Sequence, residues 1–285
     1  MKDTLRPTAP LDAQYQQITL ISSDHLADEA LGDLLQGLLR GEVWGTFALH
    51  EIRQRFRRSV LGPFWLTASM GIFVAALGLI SSTVFKQDVG HTLPYIATGV
   101  IFWNLLTISI TEGSTVFISR EGYIRNVPLP LSLHLYQMLA RNLIIWAFNM
   151  VIYVITLMVF RIALNVNILL FLLGGPLFLL NLAWMALAAG ILSTRFRDIP
   201  QVIQSVIQVI FWVTPVFWSA ETMPSRPAFV QFNPLFHLLE IVRAPLLGTA
   251  PHLMSWAVAA GLAVVGCLGT ALLYRRAYAR IAYWV

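Results

Sequence analysis

The chain has 285 residues, of which 57% are hydrophobic and only 12% charged, with mean hydropathy +0.70 and a formal net charge of +5. A charged share about half the usual one leaves too little polar exterior for a water-soluble domain of this length, so an integral membrane protein is expected. The single cysteine, Cys267, excludes an intramolecular disulfide framework and reads as a small packing residue.

The first 25 residues are polar and mixed in charge and lack the apolar centre of a signal peptide, and residues 1–41 read as an N-terminal cytoplasmic tail. Over 42–59, Trp44, Phe47, Ala48, Ile52 and Phe56 recur at helical spacing, while Glu51, Arg53, Arg57 and Arg58 take other positions. That pattern predicts an amphipathic helix along the membrane interface. Residues 60–285 then form an all-α membrane unit. Its uncharged stretch Val60 to Phe85 exceeds the roughly 20 residues that a bilayer needs. Further stretches run from Thr92 to Thr111, Asn142 to Phe160, Ile168 to Leu192, Ile199 to Ala220 and Leu253 to Tyr274, which predicts six transmembrane helices.

The basic residues orient them. Lys2, Arg6, Arg40, Arg53, Arg55, Arg57, Arg58, Arg120, Arg125, Arg195, Arg197, Arg275, Arg276 and Arg280 fall on one side of this layout. Only Lys86, Arg161, Arg226 and Arg243 fall on the other, and Arg141 lies near a helix end. The bias places both termini in the cytoplasm and makes the chain a multi-pass protein of the cell inner (plasma) membrane. It also explains the net positive charge as topology among membrane lipids; no nucleic-acid partner is expected. The external segment Glu221 to His252 is too apolar to float in water, yet contains Pro234, His237, Glu240, Arg243 and Pro245. Two short re-entrant helices before the last span are predicted there, with Glu240 and Arg243 paired on one helical face as an exposed pair worth about 0.2–0.5 kcal/mol.

Catalytic patterns are missing. The six histidines are scattered, no His-Glu-x-x-His or Cys-x-x-Cys occurs, and no metal-ligand set is expected. Glu112 and Glu240 are the only carboxylates near the membrane zone; Glu112 is expected to pair with Arg141. The only lysines, Lys2 and Lys86, do not follow glycine, so no phosphate-cradling loop exists and any ATP hydrolysis belongs to another polypeptide. A polytopic enzyme acting on lipid-linked sugars is the alternative from another class, and lacks its acid cluster. The aromatics Phe64, Trp65, Phe73 and Phe85 in the first span, and Phe211, Trp212, Phe217 and Trp218 in the fifth, have two readings. They are interfacial anchors, or a surface on which sugar rings slide.

Four segments carry a resemblance. Arg57-Arg58-Ser59-Val60-Leu61-Gly62-Pro63-Phe64-Trp65 leads into the first span and Asn126-Val127-Pro128-Leu129-Pro130 follows the second. Arg195-Phe196-Arg197-Asp198-Ile199 precedes the fifth and Asn233-Pro234-Leu235-Phe236-His237-Leu238-Leu239-Glu240 the sixth. In this order they resemble the ABC-2 type permeases that export O-antigen and capsular polysaccharides, the Wzm-like transmembrane subunits. The resemblance implies a homodimeric conduit above two copies of a separate ATPase, which carries the ATP and magnesium; this chain has no cofactor of its own. It implies a path for a lipid-linked polysaccharide lined by spans one and five, with Trp65, Phe73, Phe211, Trp212 and Trp218 as candidates. It implies a coupling helix in Ser119 to His134, anchored by Arg120, Glu121, Tyr123 and Arg125. It further implies an external gate in Leu235, Phe236, Leu238, Leu239, Glu240 and Arg243. Permeases for teichoic acid, lipids or drugs share the same six spans and remain alternatives.

Overall fold

The computed structural model describes residues 29–60, 62–218 and 228–285. Most of the expected tail (1–28), the end of the expected fifth span (219–220) and the start of the segment expected to be external (221–227) lie outside the described residues. Every regular element among those described is helical. Residues 29–39 form α1. It is followed by α2 (Gly41–Arg55), α3 (Phe64–Phe85), α4 (Val89–Thr115), α5 (Glu121–Asn126), α6 (Leu131–Phe160), α7 (Phe171–Arg195), α8 (Ile199–Val213), α9 (Ala228–Gln231), α10 (Pro234–Leu246) and α11 (Leu253–Trp284). Short 3-10 turns, Ile118–Arg120 and Val166–Leu170, precede α5 and α7.

Five segments are long and apolar enough to cross a membrane: Phe64–Val84, Val89–Thr115, Leu131–Phe160, Val166–Arg195 and Leu253–Trp284. The chain is therefore a multi-pass membrane protein. The segment expected as the fifth of six spans is helical only over α8, which at 15 residues rises about 22 Å, less than the hydrocarbon thickness. Pro215 ends it: a residue before proline is driven out of the helical region, and Thr214 is extended (φ −89°, ψ 133°). Two other helices outrun the expected spans. α6 starts at Leu131 rather than Asn142, and α11 continues to Trp284, beyond Tyr274. The first turns of α6 run through polar residues that the bundle encloses, such as His134 and Gln137, whereas the last turns of α11 carry the exposed Arg275, Arg276 and Arg280.

α4 is the central pillar. Its most apolar window is 67% buried, against 22% for α3, α7 and α11. Phe102 of α4 meets Trp146, Phe178 and Phe171 at ring distances of 5.4, 5.5 and 6.0 Å. Gly113 of α4 lies so close to α7 that an added Cβ would stand 2.8 Å from the Ala186 Cα, and Gly190 of α7 returns the contact against the Gly113 carbonyl. Lipid tails are as apolar as leucine, so such close backbone approach, rather than escape from water, holds spans together. Val151, Ile155, Met158 and Val159 of α6 and Val264, Val265, Leu268 and Leu272 of α11 are exposed and suit a lipid boundary.

Two spans end on cations. Lys86 and Arg161 cap α3 and α6 in the left-handed region (φ 51° and 50°), and their backbone N–H groups donate to the Ser82 and Leu157 carbonyls. A positive side chain there complements the negative end of the helix dipole. The α2 helix is shorter than the expected 42–59. Residues 56–58 turn away, Ser59 Oγ accepts from the Gly62 N–H at 3.1 Å, and Gly62 takes the left-handed φ (55°) that redirects the chain into α3. Ala48 and Ile52 are buried and α2 leans on α6.

Candidate functional site

Three places concentrate polar or aromatic side chains. The first is the end of the bundle that carries α1, α2 and α5. Glu51 of α2 reaches Arg120 beside α5 with one carboxylate oxygen and Arg141 of α6 with the other (2.9 Å). Arg141 also bonds Glu112 of α4, so the pair expected from the sequence is present as one link of a four-membered chain. Through it the element before α5 is tied to three other helices. The expected coupling residues divide accordingly. Arg120 turns inward; Glu121 and Arg125 pair with each other at 3.0 Å and are about half exposed; Tyr123 is exposed, with the Arg120 guanidinium 5.9 Å from its ring centre.

At the same end Asp33 of α1 is almost completely buried. Its carboxylate accepts from the backbone N–H groups of Leu131 and Ser132 at 2.8 and 2.9 Å, and from the Tyr274 and Tyr278 hydroxyls of α11 at 2.8 and 3.3 Å. The physical need is clear. The first N–H groups of a helix lack partners, and Pro130, at the N-cap of α6, has no side chain to offer them. Asp33 supplies the cap from 98 residues away. Ser132 Oγ donates to the Asp33 carbonyl and Tyr136 Oη to that of Leu34, which closes α1 onto α6. Residues 29–39 are thus a docked helix, not part of a tail. The uncappable Pro130 was the one sequence signal that a remote carboxylate was required.

The second place is the aromatic set. Trp65 and Phe73 of α3 are exposed, and so is Trp212 of α8. Phe211 is half-buried, stacked on Phe217 at 5.5 Å and tilted against Trp103 at 5.7 Å. Trp218 is buried; its indole N–H donates to the Trp212 carbonyl at 3.4 Å. The five candidates therefore do not share one surface. Three are open, Phe211 is half-buried and Trp218 is buried.

The third place is the opposite end, where α10 is clasped by α4, α7 and α11. Asn233 caps α10 by accepting from the Leu235 and Phe236 N–H groups, and its own amide donates to Thr214 at 2.8 Å. Leu238 and Leu239 are fully buried, whereas Leu235 and Phe236 are half-buried. The Glu240–Arg243 pair forms at 2.8 Å, but it is not the exposed pair expected: Arg243 is 1% exposed. Its Nη1 donates to the Pro215 carbonyl at 2.8 Å and its guanidinium lies 3.9 Å from the Tyr95 ring centre. One cation thereby holds α10, α4 and the end of α8 together. His237 links α10 to α9 and α11: Nε2 donates to the Gln231 carbonyl at 2.8 Å, and Nδ1 shares the Ser255 hydroxyl at 3.0 Å. A cavity of about 660 Å³ opens beside this clasp, lined in part by His91, Tyr95, Phe217, Phe236, Glu240 and Arg243.

Comparison with known proteins fits this architecture. Residues 43–247 match the family described as ABC-2 type transporter. The chain is also similar to the O-antigen export system permease protein RfbA of Klebsiella pneumoniae, at 20% identity over 195 residues, covering 66% of this chain and 74% of that protein.

Proposed function

The chain belongs to the ABC-2 type transporter family, and from that premise we propose that it is the permease of an ATP-driven exporter that moves a lipid-linked polysaccharide, such as O-antigen, across the cytoplasmic membrane. Two copies form the conduit, with both termini in the cytoplasm. Two copies of a separate ATPase, holding ATP and magnesium, dock beneath.

The observation that carries this reading is the chain of ion pairs from Arg120 through Glu51 and Arg141 to Glu112. An exposed short helix such as α5 can take a push from a partner, and the four charges give that push a route into α2, α4 and α6. Tyr123 and Arg125 supply the exposed aromatic and cation that small docking patches favour. A rigid displacement there would pass through α4, which packs against both α3 and α8, to the two helices proposed to line the conduit. At the other end, the half-buried Leu235 and Phe236 of α10 supply the apolar seal that keeps a resting conduit dry. The cargo assignment draws on the relative's printed role and on the open aromatic faces of Trp65, Phe73 and Trp212, which suit sugar rings.

The test is to purify the permease with its ATPase and ask which polymer stimulates ATP hydrolysis. Stimulation by a lipid-linked glycan and not by a free lipid or drug supports the reading; the reverse refutes the cargo. In a Cys267→Ala background, Asp88→Cys should react with an impermeant thiol reagent from outside the cell, whereas Gly122→Cys and Ala279→Cys should not. External labelling of Ala279→Cys would overturn the cytoplasmic C-terminus.

A further inference from the structure

α8 has three faces. Half-buried Ile203, Ile207, Ile210 and Phe211 pack toward α4 and α7. Val202, Val206, Val209 and Val213 form a second, exposed apolar face. The third is polar. Gln201, Gln204, Ser205 and Gln208 stand at i, i+3, i+4 and i+7, so they share one stripe, and Trp212, four residues past Gln208, extends it. All five are exposed, Trp212 to 65%. The Ser205 hydroxyl donates to the Gln201 carbonyl at 3.0 Å, but among the described residues no group bonds the three glutamine side chains.

Three unpartnered carboxamides on one face of a membrane helix are incompatible with lipid, because hydrocarbon offers nothing to replace their hydrogen bonds with water. The valine face suits lipid; the glutamine face does not. We propose that Gln201, Gln204 and Gln208 form the hydrogen-bonding wall of the conduit and read the hydroxyl groups of the transported chain. This rests on the exporter reading above and specifies its chemistry. A carboxamide both donates and accepts, as a hydroxyl does, so each amide can pair with any hydroxyl whatever its orientation. It bears no charge that would hold a passing chain. The step from Gln204 to Gln208 rises about 6 Å, comparable with one pyranose and its linkage. Beyond them Trp212 adds a ring face for stacking at the end of the same stripe. The stripe therefore selects for neutral, hydroxyl-rich polymers over apolar cargo such as lipids or drugs.

The first arm of the test needs no cargo. Inside-out membrane vesicles containing the permease with its ATPase are treated with a small water-soluble methanethiosulfonate reagent, in a Cys267→Ala background. Gln204→Cys and Gln208→Cys should react at least about tenfold faster than Val206→Cys and Val209→Cys, since only a wetted face supplies thiolate to the reagent. Equal or reversed rates overturn the proposal. So does efficient oxidative cross-linking of two copies through Gln204→Cys, which would make the stripe a dimer seam. The second arm measures glycan at the cell surface. Paired Gln204→Leu and Gln208→Leu should lower it about tenfold at unchanged protein level, while the Asn pair, which keeps the amides, stays within about twofold. Unchanged export by the leucine pair overturns the proposal. If the wild-type complex exports no glycan at all, the exporter reading fails, and the labelling pattern still decides whether the stripe faces water.

Discussion

At the end of the bundle that bears the N-terminal helices, polar side chains form an open chain; at the other end they form a closed clasp. Glu51, Arg141 and Glu112 keep 22, 17 and 32% of their side chains exposed, so water can replace a bond while the helices shift. Arg243 keeps 1%, and its partners are a carbonyl, a ring and a carboxylate from three different stretches of chain. The Asp33 cap belongs with the clasp by burial and with the chain by position. Within a bilayer, apolar contact between spans gains little over contact with lipid, so enclosed polar ties carry a larger share of specificity. The proposed drive end is thus built to yield and the proposed gate end to hold.

Breaking the clasp should have the largest effect. Arg243→Met leaves the Pro215 carbonyl and the one-fifth-exposed Glu240 carboxylate without their partner, a loss of about 3 kcal/mol. Melting of the detergent-purified permease should drop by roughly 10 °C, and Arg243→Lys, which keeps the charge but not the fork, should fall between. Equal melting of Arg243→Met and wild type would show that the clasp does not hold the gate end.

Next in size is the remote cap. Asp33→Ala removes two backbone bonds and two tyrosine bonds, with an expected cost of about 2 kcal/mol. Limited proteolysis should then cut residues 29–39 much faster than in wild type. Tyr274→Phe, which removes one of those bonds, should lose about 1 kcal/mol.

The ion-pair chain should matter less for stability and more for coupling. A double-mutant cycle of Glu51→Gln with Arg141→Met should return an interaction of about 1 kcal/mol by melting, since both groups are partly solvated. If the chain transmits motion, Glu51→Gln alone should lower cargo-stimulated ATP hydrolysis while leaving basal hydrolysis intact. The smallest stability change belongs to Tyr123→Ala with Arg125→Ala, within about 0.5 kcal/mol because both side chains are exposed. That variant should still insert and dimerise but lose export. Normal export with normal ATPase co-purification would remove α5 from the docking role.

Read from sequence, α3, α4, α7 and α11 were legible because an uncharged run of sufficient length has few other structures open to it. The pairing of Glu112 with Arg141 was legible because a lone carboxylate and a lone arginine at similar depth have few other partners. The start of α6 was not, since His134, Gln137 and Arg141 break the apolar run although the helix continues through them. The end of α8 is marked by Pro215, but the surrounding aromatics keep the stretch apolar and conceal the break. Glu51 looked like one charge among several on an amphipathic helix; only its approach to Arg120 and Arg141 singles it out.

By itself the sequence determined that the chain is a helical membrane protein, and its ordered segments pointed to the family, because hydropathy over a span is a local property that no fold can alter. The tertiary structure alone decided that Asp33 caps a helix 98 residues away and that Arg243 is enclosed rather than exposed. It also decided that Trp212 is open while Trp218 is buried. Each of these depends on which faces meet when helices pack, and the chain specifies that only through all of its contacts at once.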